Sequence, residues 1–137
     1  MNYYFINTDA VSNGDTSYHD TWIHRGIAVT SGHEGYRDKI NRIKRGDTVL
    51  LYVKRIGVVA VGTMLDNRAQ DVHAPATVSP REPVEYQRKV RWLTDIRNRP
   101  LHYERVRELR GQYPLSSVDT LKKGREDILE AIRLLAR

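Results

Sequence analysis

Two histidines five residues apart, His19 and His24, flank Trp22 with Asp20 between them, and here side-chain types first allow chemistry. Imidazoles with a carboxylate can ligate a divalent metal, but no recurrent ligand spacing runs through these residues. His33-Glu34 joins an imidazole to a carboxylate in a glycine-flanked segment, a pairing suited to proton transfer. His73 and His102 have no evident partner in sequence. Ser116 and Ser117 supply hydroxyls without the glycine-framed turn that exposes a nucleophilic serine. With 17 acidic residues, carboxylate pairs for glycosidic chemistry can always be drawn, so they carry little weight. The absence of cysteine excludes thiol catalysis, disulfides and cysteine-ligated zinc. KKGRE is not a phosphate-binding loop, and no glycine-rich strand-to-helix fingerprint occurs. The expectation is a protein that is not an enzyme and needs no cofactor or metal.

Binding chemistry is better supplied. A nucleobase held in a pocket needs a flat apolar surface to stack on and a few fixed polar groups along its edge. Trp22, Tyr36, Tyr52, Trp92 and Tyr113 offer such surfaces. Asn7, Thr8, Asp9, Ser31, Ser116 and Asp119 offer edge-reading groups. Tyr52 and Trp92 fall in strand patterns and fit a core equally well. Trp22 lies in polar sequence, where ligand platform and structural anchor are both open.

Charge points the same way. The formal net charge is +6, unevenly spread. Residues 1–35 hold four acids and one base, residues 36–55 seven bases and two acids, and residues 81–110 nine bases and five acids. Two basic blocks suit a polyanion, because Lys and Arg beside phosphates release counterions.

The elements that must position these groups can be read from periodicity. A length of 137 residues with 39 % apolar residues suits a single domain spanning the whole sequence. Residues 3–7 read as a short strand, the polar stretch before Trp22 as loop or a helical turn, residues 27–29 as a short strand, and 31–35 as a turn. Tyr36, Ile40 and Ile43 make a helical stripe over 36–44. Gly46-Asp47 is a turn, 48–53 a β-branched strand, Lys54-Arg55 a hairpin connection and 57–64 a buried strand with Gly62 at a bend. Three prolines make 66–83 an exposed connection. Residues 84–93 alternate as a strand with Val84, Tyr86, Val90 and Trp92 on one face, Arg88 being the exception. Residues 101–109 fit either a short helix or the flank of a strand. The spacing predicts a helix over 119–135, with Gly124 a cost of about 1 kcal/mol inside it. The opening MNYYFINTDAV does not resemble a secretory signal, and no run spans a bilayer, so a cytoplasmic protein without a membrane partner is expected.

This order of elements, with Lys44-Arg45-Gly46-Asp47-Thr48-Val49-Leu50-Leu51-Tyr52 followed by the apolar run 57–62, resembles the EVE family of the PUA-like superfamily, relatives of the YTH domains. Gln112-Tyr113-Pro114-Leu115-Ser116-Ser117 looks like a variant of the family's late turn. Two segments depart from the family pattern: Tyr4-Phe5-Ile6-Asn7-Thr8-Asp9, and the stretch from Thr30 through His33 to Arg37. The resemblance implies an α/β fold, a small mixed PUA-like β-barrel with flanking helices. It further implies non-catalytic binding of a modified base in DNA or RNA. Asn7, Thr8 and Asp9 would line the pocket, Trp22 and Val29, Thr30 and Ser31 would border it, Tyr52 would lie near its floor and Ser116 would close the far side. Arg37, Lys39, Arg42, Lys44, Arg88, Lys89 and Arg91 would hold phosphates, giving affinity without sequence information. A monomer or weak homodimer is expected, since an open barrel edge needs cover.

Two other readings stay open. A protein-contact or regulatory adaptor would show a broad apolar surface around Tyr18, Trp22 and Tyr36 without a cleft. An enzyme acting on a nucleobase or RNA would aim His33-Glu34 or His19 into a pocket.

Overall fold

TVLLYV, residues 48–53, is apolar at every position after the first, so its strand can be buried on both faces, and it lies at the centre of the sheet. The computed structural model describes residues 1–9, 12–13, 16–79 and 82–137. In chain order these form β1 (Tyr3–Thr8), β2 (Ser12–Asn13), β3 (Thr16–Ser17), α1 (Tyr18–Arg25), β4 (Ile27–Ser31), α2 (Glu34–Asn41) and β5 (Thr48–Val53). Then follow β6 (Gly57–Met64), β7 (Gln70–His73), β8 (Val84–Asp95), β9 (Leu101–His102), α3 (Tyr103–Arg110), β10 (Val118–Thr120) and α4 (Arg125–Leu135).

The main sheet runs β10-β1-β5-β6-β8-β4, with β7 added to β8 and β9 to β6. Of these pairings only β1 with β5 is parallel. Register shifts at Leu51/Tyr52 and Val61/Gly62 curl the sheet, as bulges do. A side chain at Gly62 would run into the Arg91 carbonyl, so the close approach of β6 to β8 there needs glycine. The result is a small mixed α/β fold, a curled half-barrel flanked by helices, as expected.

Alternation along the strands divides the core in two. Tyr4, Ile6, Val49, Leu51 and Val53 face inward with Trp22 of α1, Ile40 of α2 and Tyr86 of β8. Phe5, Leu50 and Tyr52 face outward and are covered by Val106 of α3 and Ile128 and Ile132 of α4.

Three expectations change. The helix expected over 119–135 begins only at Arg125. Val118–Thr120 instead pairs with β1, and Gly124 is the N-cap of α4 at φ 75°, in the left-handed region. A side chain there would meet the Leu109 carbonyl, so this glycine is needed rather than costly. The segment 66–83 is not simply an exposed connection: it contains β7, and Thr77 and Val78 are buried. The ambiguous 101–109 stretch divides into β9 and α3, with His102 Nδ1 accepting from Glu104 N at 3.1 Å as the cap. No helix among the described residues is long and apolar enough to cross a membrane.

Candidate functional site

β1 and β5 run parallel and end side by side, with Thr8 opposite Val53. β4 ends nearby at Ser31, which pairs with Glu85 near the start of β8. A cavity of about 750 Å³ opens where these ends meet. Asn7, Thr8, Asp9, Trp22, Val29, Thr30, Ser31 and Tyr52, all expected at a base pocket, border it. Tyr18, Tyr36, Val78, Ser79 and Glu85 complete the wall on the inner side of the sheet. Tyr103, Tyr113, Pro114 and Leu115 join Tyr52 on the outer side, and Lys54 and Arg55 stand at the strand ends between.

The inner wall is held by committed hydrogen bonds. Thr30 Oγ1 donates to Tyr36 O at 2.8 Å, and the Tyr86 hydroxyl donates to Gly32 O at 2.7 Å, which fixes the turn from β4 into α2. The Glu85 carboxylate accepts from Val78 N at 2.6 Å, Ser79 N at 2.8 Å and Gln87 Nε2 at 3.2 Å, so it anchors the loop ahead of β8. The Tyr18 hydroxyl donates to Ser79 Oγ at 3.3 Å and ties α1 to that loop. Trp22 is only 4 % exposed and belongs to the inner core while bordering the cavity, so it serves as anchor and wall together.

On the outer side, Asn7 Nδ2 donates to Ser116 O at 2.6 Å and Pro114 O at 3.3 Å, and Asn7 N donates to Ser117 O at 2.8 Å. Among the described residues, the buried Asn7 Oδ1 has no hydrogen-bond partner. Ser116 takes part through its carbonyl; Ser117 is the serine that borders the cavity. Burial pushes the Tyr52 phenol up to about 12, helped by Tyr113, Glu104 and Tyr103 around it. The Tyr113 hydroxyl donates to Glu104, which holds that carboxyl below its usual range with further help from Arg107, and raises the Tyr113 phenol.

The groups singled out for catalysis lie elsewhere. His33 caps α2 by accepting from Gly35 N at 3.1 Å, and Glu34 pairs with Arg37 at 3.8 Å. His19 Nε2 is 3.4 Å from Ser17 Oγ and 3.8 Å from Asp20 Oδ1. Burial lowers the His19 pKa; Asp20 opposes this and Arg97 adds to it. Asp20 and Asp95 both pair with Arg97, at 2.8 and 2.6 Å, so this network ties α1 to the end of β8. None of these residues borders the cavity. Among the described residues no group of three or more His, Asp or Glu is placed to hold a metal.

The expected platforms and cations separate. Trp92 lies outside the cavity and its Nε1 donates to Ile27 O at 3.2 Å. Asp119 is likewise outside it, pairing with Arg110 at 3.1 Å. Arg88, expected to hold phosphate, is 0 % exposed and cannot do so. Its donors are spent on Asp66 and on the carbonyls of Ile40 and Ile43. Arg37 lies over Tyr86 and pairs with Asp71 at 3.5 Å, while Lys39 lies over the Tyr36 ring at 4.9 Å. Arg42, Lys44, Lys89 and Arg91 are exposed, but at the other end of the strands: Lys89 pairs with Ile27 at the start of β4, four residues along β8 from Glu85, or roughly 13 Å. The sequence reading missed Lys54 and Arg55 at the cavity mouth, together with Tyr103 and Glu85. Their one signal was position, directly after a strand whose end carries pocket residues or at the start of the next element.

No family model and no curated protein matches the sequence. Among solved structures, the chain is similar to a hypothetical protein from Leishmania major (TM-score 0.60, 16 % identity, covering 100 % of this chain and 98 % of that one). It is similar to the YTH domain of Zygosaccharomyces rouxii MRB1 in complex with N6-methyladenosine RNA (TM-score 0.61, 16 % identity, 96 % and 86 % covered). A third likeness is human THYN1 in complex with 5-methylcytosine-containing DNA (TM-score 0.51, 11 % identity, 100 % and 99 % covered). At these identities the likeness is one of fold: the chain shares its fold with these structures, the YTH domain and THYN1 among them.

Proposed function

We propose that the protein binds a modified nucleobase in DNA or RNA through the cavity at the strand ends, without breaking a bond. The observation that carries this reading is the convergence, at one concavity, of aromatic walls from Trp22, Tyr18, Tyr36 and Tyr52 with short polar groups from Asn7, Thr8, Asp9 and Ser31. Such a site favours a flat ring by dispersion and desolvation, and an added methyl group extends the apolar area removed from water. Fold relatives bound to N6-methyladenosine RNA and to 5-methylcytosine DNA give the reading support of a general kind. The exposed Arg42, Lys44, Lys89 and Arg91 would follow the strand away from the pocket. The protein would act as one domain, in the cytoplasm, as a monomer or weak homodimer.

The test is a fluorescence titration with matched short DNA and RNA strands, plain or carrying N6-methyladenine, 5-methylcytosine or 5-hydroxymethylcytosine, at two salt concentrations. The expected result is at least a tenfold preference, about 1.4 kcal/mol, for one modification. Equal, salt-sensitive binding to all strands would leave a general nucleic-acid binder. No binding to any would turn the reading towards protein contact.

A further inference from the structure

We propose that Lys54 and Arg55 grip the phosphate beside the bound base, and that the Tyr103, Tyr113 and Leu115 side of the cavity receives the neighbouring nucleotide, so that the site reads a single strand two nucleotides at a time. This rests on the base-pocket reading above and adds the polarity and strand state of its ligand.

The cavity is wider than one base requires. Its volume of about 750 Å³ is in the range that takes a drug-sized molecule, and its walls come from both faces of the sheet. Trp22 belongs to the inner core, whereas Tyr52 belongs to the outer one with Tyr103 packed against it. A flat ring on the inner side therefore leaves the outer side vacant for a second unit. The outer rim is apolar and open: Leu115 is 78 % exposed beside the buried Pro114.

The two sides meet at the β5–β6 hairpin, where the cations are. Lys54 N donates to Thr8 O at 2.9 Å, which places the hairpin against the strand end that carries Thr8 and Asp9. Lys54 and Arg55 are exposed and border the cavity, and among the described residues neither makes an ion pair. Other exposed cations without an ion pair among the described residues, such as Arg42, Lys44, Lys89 and Arg91, do not border the cavity. Arg55 also occupies φ 68°, a left-handed conformation that Gly or Asn adopts at less cost. Ile56 N donating to Val53 O at 2.9 Å closes this turn. A long cation kept in a strained turn at a cavity mouth is the arrangement expected of a positioning group. The acids at this cavity, Asp9, Glu82 and Glu85, differ in role, since Glu85 is committed to the Val78 and Ser79 amides.

The experiment compares free N6-methyladenosine and 5-methyl-2′-deoxycytidine with five-nucleotide single strands and duplexes carrying the same bases, titrated against wild type, Lys54→Gln/Arg55→Gln and Arg55→Gly. The single strand should bind wild type at least tenfold more tightly than its nucleoside and more tightly than the duplex. The double variant should lose that gain, keep nucleoside affinity, and flatten the dependence of log affinity on log salt by about 0.7 for each phosphate no longer neutralised. Arg55→Gly relaxes the turn, so its unfolding midpoint should rise while strand affinity falls, an outcome that a purely structural Arg55 would not give. Nucleoside binding with no gain from the strand overturns this proposal and leaves the base-pocket reading standing, as does a double variant that binds strands like wild type. Tighter binding of the duplex overturns it too. If neither nucleoside nor strand binds wild type, the base-pocket reading falls, and this proposal with it.

Discussion

Arg88 Nε donates to Asp66 Oδ1 at 2.6 Å while its Nη1 donates to the Ile40 and Ile43 carbonyls at 2.7 and 2.9 Å, deep in the inner core. The carbonyls at the end of a helix have no partners within it, and a cation there also meets the negative end of the helix dipole. One buried guanidinium therefore closes the end of α2 and joins it to the connection after β6. Arg88→Met should leave Asp66 without its partner and the two carbonyls unsatisfied, at a cost of about 3 kcal/mol or more. Urea denaturation measures this. The salt dependence of strand binding should stay as in wild type, since no phosphate can reach the group.

Trp22 gives a second test, because its burial and its place at the cavity act together. Its polar neighbours in sequence suggest a ring whose removal by Trp22→Ala leaves the fold intact. With 4 % exposure the variant should instead lose about 3–5 kcal/mol. Trp22→Phe keeps most of the packing and a flat ring, so it should remain folded and lose only part of any base-dependent binding. A Trp22→Ala protein with an unchanged urea midpoint would show that the ring packs poorly and is chiefly a ligand wall.

The strands Thr48–Val53 and Gly57–Met64 could be read to the residue because both are β-branched runs bounded by turns, and burial on both faces demands such runs. Asn7, Thr8, Asp9, Ser31 and Tyr52 were expected at a pocket through the resemblance to the EVE family, since residue type alone marked the polar ones as edge-reading groups and left Tyr52 equally fit for a core. In the fold they border the cavity. Arg88 was not, because a strand's alternation shows which face a residue takes but not whether a carboxylate and two helix-end carbonyls await it. Gly124 misled for a related reason: an apolar stripe continues through Leu121, whose burial comes from the connection before the helix. Lys54 and Arg55 read as a polar hairpin, and only the folded register places them beside Thr8.

The network of His19, Asp20, Asp95 and Arg97 predicts a dependence of stability on pH. Burial holds His19 below its ordinary 6.5, so the unfolded chain takes up that proton first. Its contribution is therefore complete above about 6.5 and is lost as pH falls through the lower folded value. Asp20, through Ser17 and Arg97, and Asp95, through Arg97, are held below 3.8; what they add is present above that pH and is lost on further acidification. Urea midpoints between neutral and mildly acid pH should thus decline, and His19→Gln should flatten that part of the curve while leaving the more acid part. An unchanged slope in His19→Gln would assign the decline to other groups.

The exposed pair Arg42 and Lys44 predicts a dependence on strand length. Both precede the start of β5 at Thr48, whereas the cavity lies beyond its end at Val53, five residues or roughly 16 Å away. At about 3.4 Å per nucleotide along a stacked strand, a phosphate near Arg42 lies several nucleotides from the bound base. Arg42→Ala with Lys44→Ala should leave binding of a three-nucleotide strand unchanged. It should weaken a ten-nucleotide strand, modified and plain alike, and reduce its salt dependence by about 0.7 for each phosphate the pair neutralises. An equal effect on both lengths would bring the pair to the pocket, against the register of β5. No effect on either would mean that the strand leaves the cavity in another direction, and the hairpin cations Lys54 and Arg55 would then carry its phosphate affinity.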